Sequence, residues 1–367
     1  NQLVTMSSFN SETTTTRKLN MGSSIFNLTS GDWKCYSFFM TINCGTSVIN
    51  LNSPNGAYLS GGNFTYYNVN FNGTTANSLG GIGDNNTFHD VYFASGAGIS
   101  NNNIFRNLTI TRDGGIFGNN TFNNLTLGSG YTYTFMEAKT QTINGLLSAS
   151  GDCTNYTKFK TNILGGQSII NHPPGLVNLS FVTLRDISAT GGASFIANNS
   201  IDNGNNSGWI INSPAARNLY WVGNSGNWDD SNHWSLTTGG TPTNCLPTSL
   251  DNVFFDANSF TITGQTVMIN ITSAFCRDMT WTGVTNTPAI SSPTSNALRI
   301  YGSLIFSSAM NIAIQGGTTF QASSLGKTIR MNGKIFSSGV GFNGLGGEWT
   351  LLDAFTVNGG IFLGAGT

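Results

Sequence analysis

The chain has 367 residues, and its 15 Lys and Arg against 16 Asp and Glu give a formal net charge of −1. Only 8% of the residues are charged, against about 25% in typical soluble domains. Because no basic stripe is present, nucleic acid is not expected as a partner. The 25 Phe, 10 Tyr and 7 Trp argue against a disordered chain. No run of about 18 apolar residues occurs, so we expect no membrane-spanning segment.

The composition predicts an all-β protein. Gly, with 46 residues, and Asn are abundant, and both tolerate the backbone conformations of tight turns. Thr, Phe, Ile and Val favour strands. Runs of the strong helix formers Ala, Leu, Glu and Lys are almost absent, so short strands joined by many turns are expected.

A repeat lies between residues 60 and 130, where a short strand recurs every 17 to 22 residues. Phe88, Phe105 and Phe122 occupy the same position in three successive copies, and further apolar residues align after each of them. We therefore expect these three rings to stack inside the fold. The copies read YYNVNF (66–71), NNTFHDVYF (85–93), NNIFRNLTI (102–110) and NNTFNNLTL (119–127).

This interval predicts parallel β-helix or β-solenoid-like repeats of about 20 residues per coil. One coil cannot bury its apolar face alone, but stacked coils share a continuous core. An array of β-sandwiches is the alternative. A sandwich would show more two-residue Asn-Gly or Asp-Gly turns between consecutive strands, and these are scarce here.

Polar residues also align between the copies. In a parallel stack, amide side chains at one position can hydrogen-bond to the coils above and below. Such a column either faces a carbohydrate or ice surface or serves as a structural ladder, and we favour the structural ladder. One column contains Asn68, Asp90, Asn107 and Asn124, and the other contains Asn86, Asn103 and Asn120.

Residues 163–212 continue the pattern, and the segment SPAARN at 213–218 is the best candidate for a linker. We therefore expect two consecutive β modules, at 1–212 and 219–367. In the second module, Gly precedes an apolar strand at 301–306, 332–336 and 358–363, which suggests a recurring corner.

Three tryptophans, Trp221, Trp228 and Trp234, lie close together near the start of the second module. On a surface they could stack against sugar rings. The alternative, which we favour, is that they close the end of the core of this module.

The acidic residues are scattered rather than clustered. β-Helical enzymes that cleave polysaccharides need carboxylates in pairs, or next to a basic side chain, on one face. His89, His172 and His233 show no metal-ligand spacing. We therefore expect no catalytic residues and no cofactor other than calcium.

Calcium is considered because Asp229, Asp230, Asp251 and Asp256 lie in turns rich in Asn and Ser. Carboxylate and amide oxygens of this kind bind calcium in extracellular modules. The four residues lack a regular calcium-loop spacing, and capping or turn hydrogen bonds are the alternative.

Five cysteines in such a chain suggest an extracellular setting, where disulfides persist. The first expectation is a disulfide between Cys245 and Cys276, clamping a loop to a strand of the second module. Cys35 and Cys44 form a weaker candidate pair. The alternative is that all five cysteines are small buried apolar residues.

Several segments resemble very large cell-surface proteins of Bacteroidota, similar to the gliding-motility adhesins exported by the type IX secretion system. The resemblance covers most of the chain but marks a repeat architecture, and it transfers no catalytic residue. The segments are SIDNGNNSGW (200–209), YWVGNSGNWDDSNHWS (220–235), the stretch 251–281 and GGEWTLLDAFTVNGG (346–360).

The resemblance implies a segment of a larger polypeptide, with 1–212 ending one repeat unit and 219–367 opening the next. It implies a non-enzymatic, stiff adhesin filament at the cell surface that mediates attachment and gliding. Expected partners are neighbouring repeats, a surface or polysaccharide ligand, and secretion and gliding machinery acting through other regions. The rival interpretations are a β-helical polysaccharide lyase or hydrolase, and a carbohydrate-binding module that uses the tryptophan cluster.

Overall fold

The computed structural model describes residues 2–36, 38–75 and 78–365. Parallel strands stack as a β-solenoid of about 16 turns, which confirms the predicted fold class. The chain divides into two compact units, Asn1–Pro214 and Ala215–Thr367, so the division falls inside the predicted linker. Arg217 belongs to the second unit, because its guanidinium pairs with the Asp251 carboxylate.

The first unit contains two long parallel sheets that run the length of its stack. The first sheet consists, in order, of Leu3–Met6, Ile25–Leu28, Val48–Leu51, Thr65–Phe71, Thr87–Phe93, Ile104–Ile110, Asn120–Leu127, Thr140–Ile143, Ser168–Asn171 and Ile187–Thr190, with Leu147–Ser148 also paired to Asn120–Leu127. The second sheet consists of Phe9–Ser11, Trp33–Cys35, Tyr58–Ser60, Leu79–Ile82, Gly96–Ile99, Gly114–Ile116, Thr132–Phe135, Thr157–Thr161, Val182–Arg185 and Ile201–Asp202.

A third side of the first unit carries shorter sheets at its two ends. One consists of Arg17–Asn20 and Met40–Asn43, and the other of Leu176–Ser180, Ser194–Asn198 and Trp209–Asn212. These strands form where a turn has enough residues to add a third side.

The aromatic column predicted from the repeat forms the centre of the first unit. Phe88 pairs in register with Phe105, and Phe105 with Phe122. Their ring centroids are 5.1 and 5.3 Å apart, with nearly parallel planes, and all three side chains are buried. Tyr66 extends the stack by one turn, 5.5 Å from Phe88. This column is confirmed.

The second asparagine column is buried at a bend of the coil. The amide oxygens of Asn86, Asn103 and Asn120 accept backbone N–H groups of the preceding turn at 3.0 to 3.1 Å. Their amide nitrogens donate to carbonyls three residues earlier in their own turn. Because these groups satisfy buried backbone, this column is a structural ladder and offers nothing to a ligand.

The second unit is built from four smaller sheets. The largest consists of Trp234–Ser235, Asn218–Trp221, Asn252–Phe254, Met279–Thr280, Leu304–Ile305, Lys327–Arg330 and Trp349–Leu351. The others consist of Gly226–Asn227, Thr266–Met268, Ala289–Ser292 and Asn311–Ile314; of Ser273–Cys276, Ala297–Ile300, Thr318–Phe320, Val340–Asn343 and Ile361–Ala365; and of Ile335–Phe336 and Thr356–Val357.

The start of the second unit departs from the parallel pattern. Asn218–Trp221 pairs antiparallel with Trp234–Ser235, and a short 3₁₀ helix, Ser231–His233, precedes the second of these strands. A long loop at 236–251 then leads into the next turn. With about 20 residues per coil, a chain of this length would form roughly 18 coils. Long loops such as this one use residues without adding a coil, so the number of turns is lower.

The three Gly-led segments of the second unit do not form one column. Leu304–Ile305, Ile335–Phe336 and Ile361–Ala365 belong to three different sheets. The similar sequences of these segments therefore form similar turns on different sides of the coil. They do not form one corner that repeats from coil to coil.

We expect Phe105→Ala to lower the free energy of unfolding of the first unit by roughly 3–5 kcal/mol, because the cavity lies inside the aromatic stack. The matched control is Ile104→Ala in the same strand, where the side chain is 53% exposed and the loss should stay below about 1 kcal/mol. Urea unfolding followed by circular dichroism measures both. Equal losses for the two variants would contradict the buried position of the ring.

Candidate functional site

The outer side of the first sheet carries the first predicted asparagine column, which we call the amide face. It comprises Asn68, Asp90, Asn107 and Asn124, at partnered positions of four consecutive strands. Asn107 Nδ2 donates to Asp90 Oδ1 at 2.6 Å, and Asn124 Nδ2 donates to Asn107 Oδ1 at 2.7 Å. The predicted ladder through Asn107 and Asn124 is therefore confirmed, and it faces outward, unlike the buried asparagine column.

A second amide ladder on the same sheet escaped the sequence analysis. Asn50 Nδ2 donates to Asn27 Oδ1 and Asn70 Nδ2 donates to Asn50 Oδ1, both at 2.8 Å. These residues are separated by 23 and 20 positions, so no constant interval in the sequence reveals them. The ladder becomes visible when the strands are aligned by their pairing register.

A polar cluster lies beside the amide face. The Tyr67 and His89 rings stack with centroids 4.1 Å apart. His89 Nδ1 lies 3.1 Å from Asp90 Oδ2, and the Arg106 guanidinium contacts His89 Nε2. Arginine can only donate, so in neutral His89 the Nε2 lone pair is occupied and the proton lies on Nδ1. The cluster therefore joins three neighbouring strands, Thr65–Phe71, Thr87–Phe93 and Ile104–Ile110, on the outer side of the sheet.

The three tryptophans lie in the core of the second unit, as the favoured interpretation predicts. Trp221, Trp228 and Trp234 are each at most 1% exposed. Trp234 lies 5.1 Å from Trp221 and 4.9 Å from Trp228 between ring centroids. The indole N–H groups of Trp221 and Trp234 donate to the backbone oxygens of Asn224 and Trp228. The rings close the core and offer no surface for sugar stacking.

The four aspartates do not assemble a calcium site. Asp251 is buried and accepts two hydrogen bonds from Arg217, at 2.9 and 2.8 Å. Among the described residues, no group of three or more His, Cys, Asp or Glu could hold a metal ion. The structure therefore does not bring the four candidate carboxylates together, because each is placed in its own local network.

Two of the other three aspartates serve as turn and cap acceptors. Asp230 caps the 3₁₀ helix and accepts from the Asn232 backbone at 2.9 Å, and this hydrogen bond lowers the pKa of its carboxyl. Asp256 accepts from the Asn258 backbone at 2.9 Å. These two contacts are the capping and turn hydrogen bonds of the alternative interpretation. Asp229 instead accepts from Asn270 Nδ2 of the neighbouring coil at 2.6 Å.

The expected disulfide between Cys245 and Cys276 is not formed. Cys276 carries a free thiol that points into the core of the second unit, and burial raises the pKa of this thiol well above its usual value. Inward orientation follows from alternation in Ser273–Cys276, whose residues are half-buried and buried in turn. A side chain on the core face cannot reach a loop outside the stack.

The weaker pair, Cys35 and Cys44, is also wrong, since both carry free thiols. Cys35 is buried on the inner face of Trp33–Cys35, and desolvation raises the pKa of its thiol to about 11. Cys44 follows the strand Met40–Asn43 on another side of the same turn and is half-buried. The two thiols therefore belong to different faces of one coil.

No protein-family model, no curated protein and no solved structure matches this chain. None of the helical structure in the described ranges reaches the length and hydropathy that a membrane crossing requires.

We expect Asn107→Asp to lower the free energy of unfolding by about 1–3 kcal/mol. It replaces the donor of the ladder by a second carboxylate beside Asp90. Asn123→Asp is the matched control, since it adds the same charge at an exposed position of the neighbouring turn strand and should change stability by less than about 0.5 kcal/mol. Thermal unfolding at constant pH measures both, and identical effects would show that the ladder bond contributes nothing.

We also expect Cys44 to react first with iodoacetamide, with Cys35 and Cys276 at least about tenfold slower in the native protein, since the thiolate is the reactive form. Burial raises the pKa of the Cys44 thiol as well, so its labelling should still accelerate as the pH rises from about 8 to about 9. Peptide mass spectrometry without reduction measures each site. A cross-linked peptide joining Cys245 to Cys276 would contradict the buried free thiol.

Proposed function

We propose that this chain is a non-enzymatic repeat segment of a large extracellular adhesin, a stiff filament that attaches to polysaccharide or other surfaces. The observation that carries the proposal is the outward amide ladder of the first unit. It presents chemically similar groups on successive turns, as a repeating contact surface requires.

Stiffness follows from the way each turn is held to the next. Strands pair in parallel along the stack of each unit, the aromatic rings stack inside, and the amide ladders connect the outside. Bending the stack would stretch all three sets of contacts on one side. Adjacent turns are about 4.8 Å apart, so such a segment gains length in small and regular increments.

Weak contacts that repeat along a stiff surface give strong attachment through multivalency. The amide face offers hydrogen-bond donors and acceptors without net charge, apart from Asp90. This suits neutral hydroxyl-rich surfaces such as polysaccharides. The low charge of the whole chain, 8% of residues, removes long-range repulsion from such surfaces.

The sequence resemblance extends the proposal to a cellular location and to partners. Membership of the Bacteroidota adhesin group would put the chain at the cell surface after type IX secretion. Neighbouring repeats of the same polypeptide would then flank it, and the secretion and gliding machinery would act through other regions. The buried tryptophans support this extension indirectly, because the distinctive motif around them serves the architecture rather than a ligand site.

The rival proposal, a β-helical lyase or hydrolase, finds less support. Asp186 is buried and paired with Arg185 at 3.1 Å, and it also accepts from Asn205 Nδ2 at 2.8 Å. His89 has its Nε2 engaged by Arg106. Asp186 and His89 are the side chains that most resemble catalytic groups. Each of them is engaged by neighbouring side chains of the stack.

Adhesion of beads coated with the full chain to agarose under flow tests the proposal. We expect Asn68→Ser/Asn107→Ser/Asn124→Ser to weaken attachment several-fold, because it removes the amide ladder of the amide face. The matched control is Asn178→Ser/Asn198→Ser/Asn212→Ser, which removes an equally long ladder from the third side of the first unit. Circular dichroism verifies that both variants fold. Equal attachment of all three proteins would exclude the amide face as the contact surface.

A second experiment distinguishes the adhesin proposal from the enzyme proposal. The chain is incubated with plant, algal and fungal polysaccharides, and new reducing or unsaturated ends are measured. We expect no release. Reproducible cleavage that disappears when one Asp is changed to Asn would establish the lyase or hydrolase instead.

A further inference from the structure

The outer side of the second sheet of the first unit differs in chemistry from the amide face. Its central column begins with an aromatic residue, continues with glycines and ends with cations. The partnered positions are Tyr58, Gly81, Gly98, Gly115, Thr134, Lys160 and Arg185. We call this surface the aromatic–cationic face and include in it Leu79, Phe117 and Lys158, which lie beside the column.

Two aromatic rings flank a hollow on this face. The Tyr58 ring lies over Gly81, where a Cβ would come within 2.1 Å of the ring, and the Phe117 ring lies over Gly115, where a Cβ would come within 2.8 Å. Between them, a Cβ on Gly98 would meet nothing closer than 3.8 Å. Tyr58 is 49% exposed and Leu79, at the side of the hollow, is 42% exposed. Gly98 therefore lies between the two ring-covered glycines with no side chain of its own, and a Cβ there would make only ordinary van der Waals contacts.

The spacing of this hollow follows from the strand spacing. The positions covered by the two rings are two strands apart, roughly 9.6 Å along the stack. A pyranose ring carries an apolar face of C–H groups that packs on aromatic rings, and a disaccharide unit of a linear polysaccharide covers about this distance. Two successive sugar rings of a linear polysaccharide can therefore pack on the Tyr58 and Phe117 rings and pass over Gly98 between them.

Two lysines lie farther along the same face. Lys158 and Lys160 alternate with the buried residues of Thr157–Thr161, so both side chains point outward. Neither forms an ion pair within the described ranges, whereas Arg185 on the next strand pairs with Asp186. Burial lowers the pKa of the Lys158 ammonium, an effect that Asp113 opposes and Lys160 reinforces. The attraction of an anion bound here would offset the desolvation of the Lys158 ammonium and the repulsion between the two lysines.

We propose that the aromatic–cationic face binds an extended anionic polysaccharide, with sugar rings packed on Tyr58 and Phe117 and acidic groups at Lys158 and Lys160. The hollow and Lys160 lie three strands apart in one column, roughly 14 Å, so one sugar chain running along the stack reaches both. The lysines supply the charge complementarity, in a chain where charged residues are rare. Single-stranded nucleic acid is disfavoured because two lysines do not make a basic stripe.

This inference rests on the proposed adhesive function and names a ligand class for a second face of the same unit. The two proposals fail separately, because the adhesion experiment changes only asparagines of the amide face and its control ladder. Attachment without binding of anionic polysaccharide would remove the present inference alone.

Isothermal titration calorimetry of the full chain provides the test, with polygalacturonate and dextran sulfate as anionic probes and dextran as the neutral probe. We expect binding of at least one anionic probe, weakened by added salt, and no comparable binding of dextran. Comparison of polygalacturonate with dextran sulfate identifies carboxylate or sulfate as the preferred group. Failure of both anionic probes, or equal binding of dextran, would overturn the proposal.

Variants locate the site on the molecule. Lys158→Gln/Lys160→Gln should weaken binding at least about tenfold, and Gly98→Val should do the same by filling the hollow without touching a charge. Lys327→Gln is the matched control, since it removes one cation from a strand of the second unit and should leave affinity unchanged. Because a Cβ on Gly98 would meet only ordinary van der Waals contacts, at 3.8 Å and beyond, Gly98→Val keeps the test valid even if the double variant folds poorly.

Two results of the variant series would contradict the site. One is an equal loss for Lys327→Gln, which would show that binding depends only on net charge. The other is unchanged affinity in Gly98→Val, which would show that the hollow holds no sugar. Tighter binding of an oligo-thymidylate than of either anionic polysaccharide would replace the proposed ligand by single-stranded nucleic acid.

Discussion

Parallel pairing in register is the constraint on which the rest of the structure depends. It places each residue directly above its counterpart one turn earlier, so Phe105 stacks on Phe88 and Asn107 donates to Asp90. Because side chains alternate between the two faces of a strand, a slip of one residue would turn Phe105 outward and break both columns at once. Core packing and surface chemistry are therefore set by the same register, and neither can change alone.

The sequence predicts the structure where turns have equal length. The steps from Phe88 to Phe105 and from Phe105 to Phe122 are identical, and the aligned copies predicted the all-β solenoid, the aromatic stack and the ladder through Asn124. Where turn length varies, identical roles no longer show as identical intervals. The ladder from Asn27 to Asn70 was missed for this reason. The column from Tyr58 to Lys160 was missed because its members share no chemistry.

The errors have a common physical cause, since proximity along the chain does not tell which face of a strand a side chain occupies. Cys276 alternates onto the core face and remains a free thiol. Asp251 is drawn into the unit by Arg217, a residue from the segment read as a linker. The tryptophans obey the same rule without an error, since Trp221 alternates onto the core face and packs against Trp234, as the favoured interpretation predicts.

The two outer faces of the first unit differ in how much hydrogen-bonding capacity remains for a ligand. An asparagine amide has two donors and an acceptor with two lone pairs, and a ladder residue such as Asn107 uses one donor and one lone pair within the stack. What remains is weak at each turn and gains strength only by repetition. Lys158 and Lys160 form no ion pair among the described residues, although Asp113 acts on the Lys158 ammonium from nearby, so a few contacts there suffice for a charged ligand. A solenoid of this kind can therefore combine broad, weak attachment on one side with local, selective binding on another, because the register that fixes one face leaves the side chains of the other free to vary.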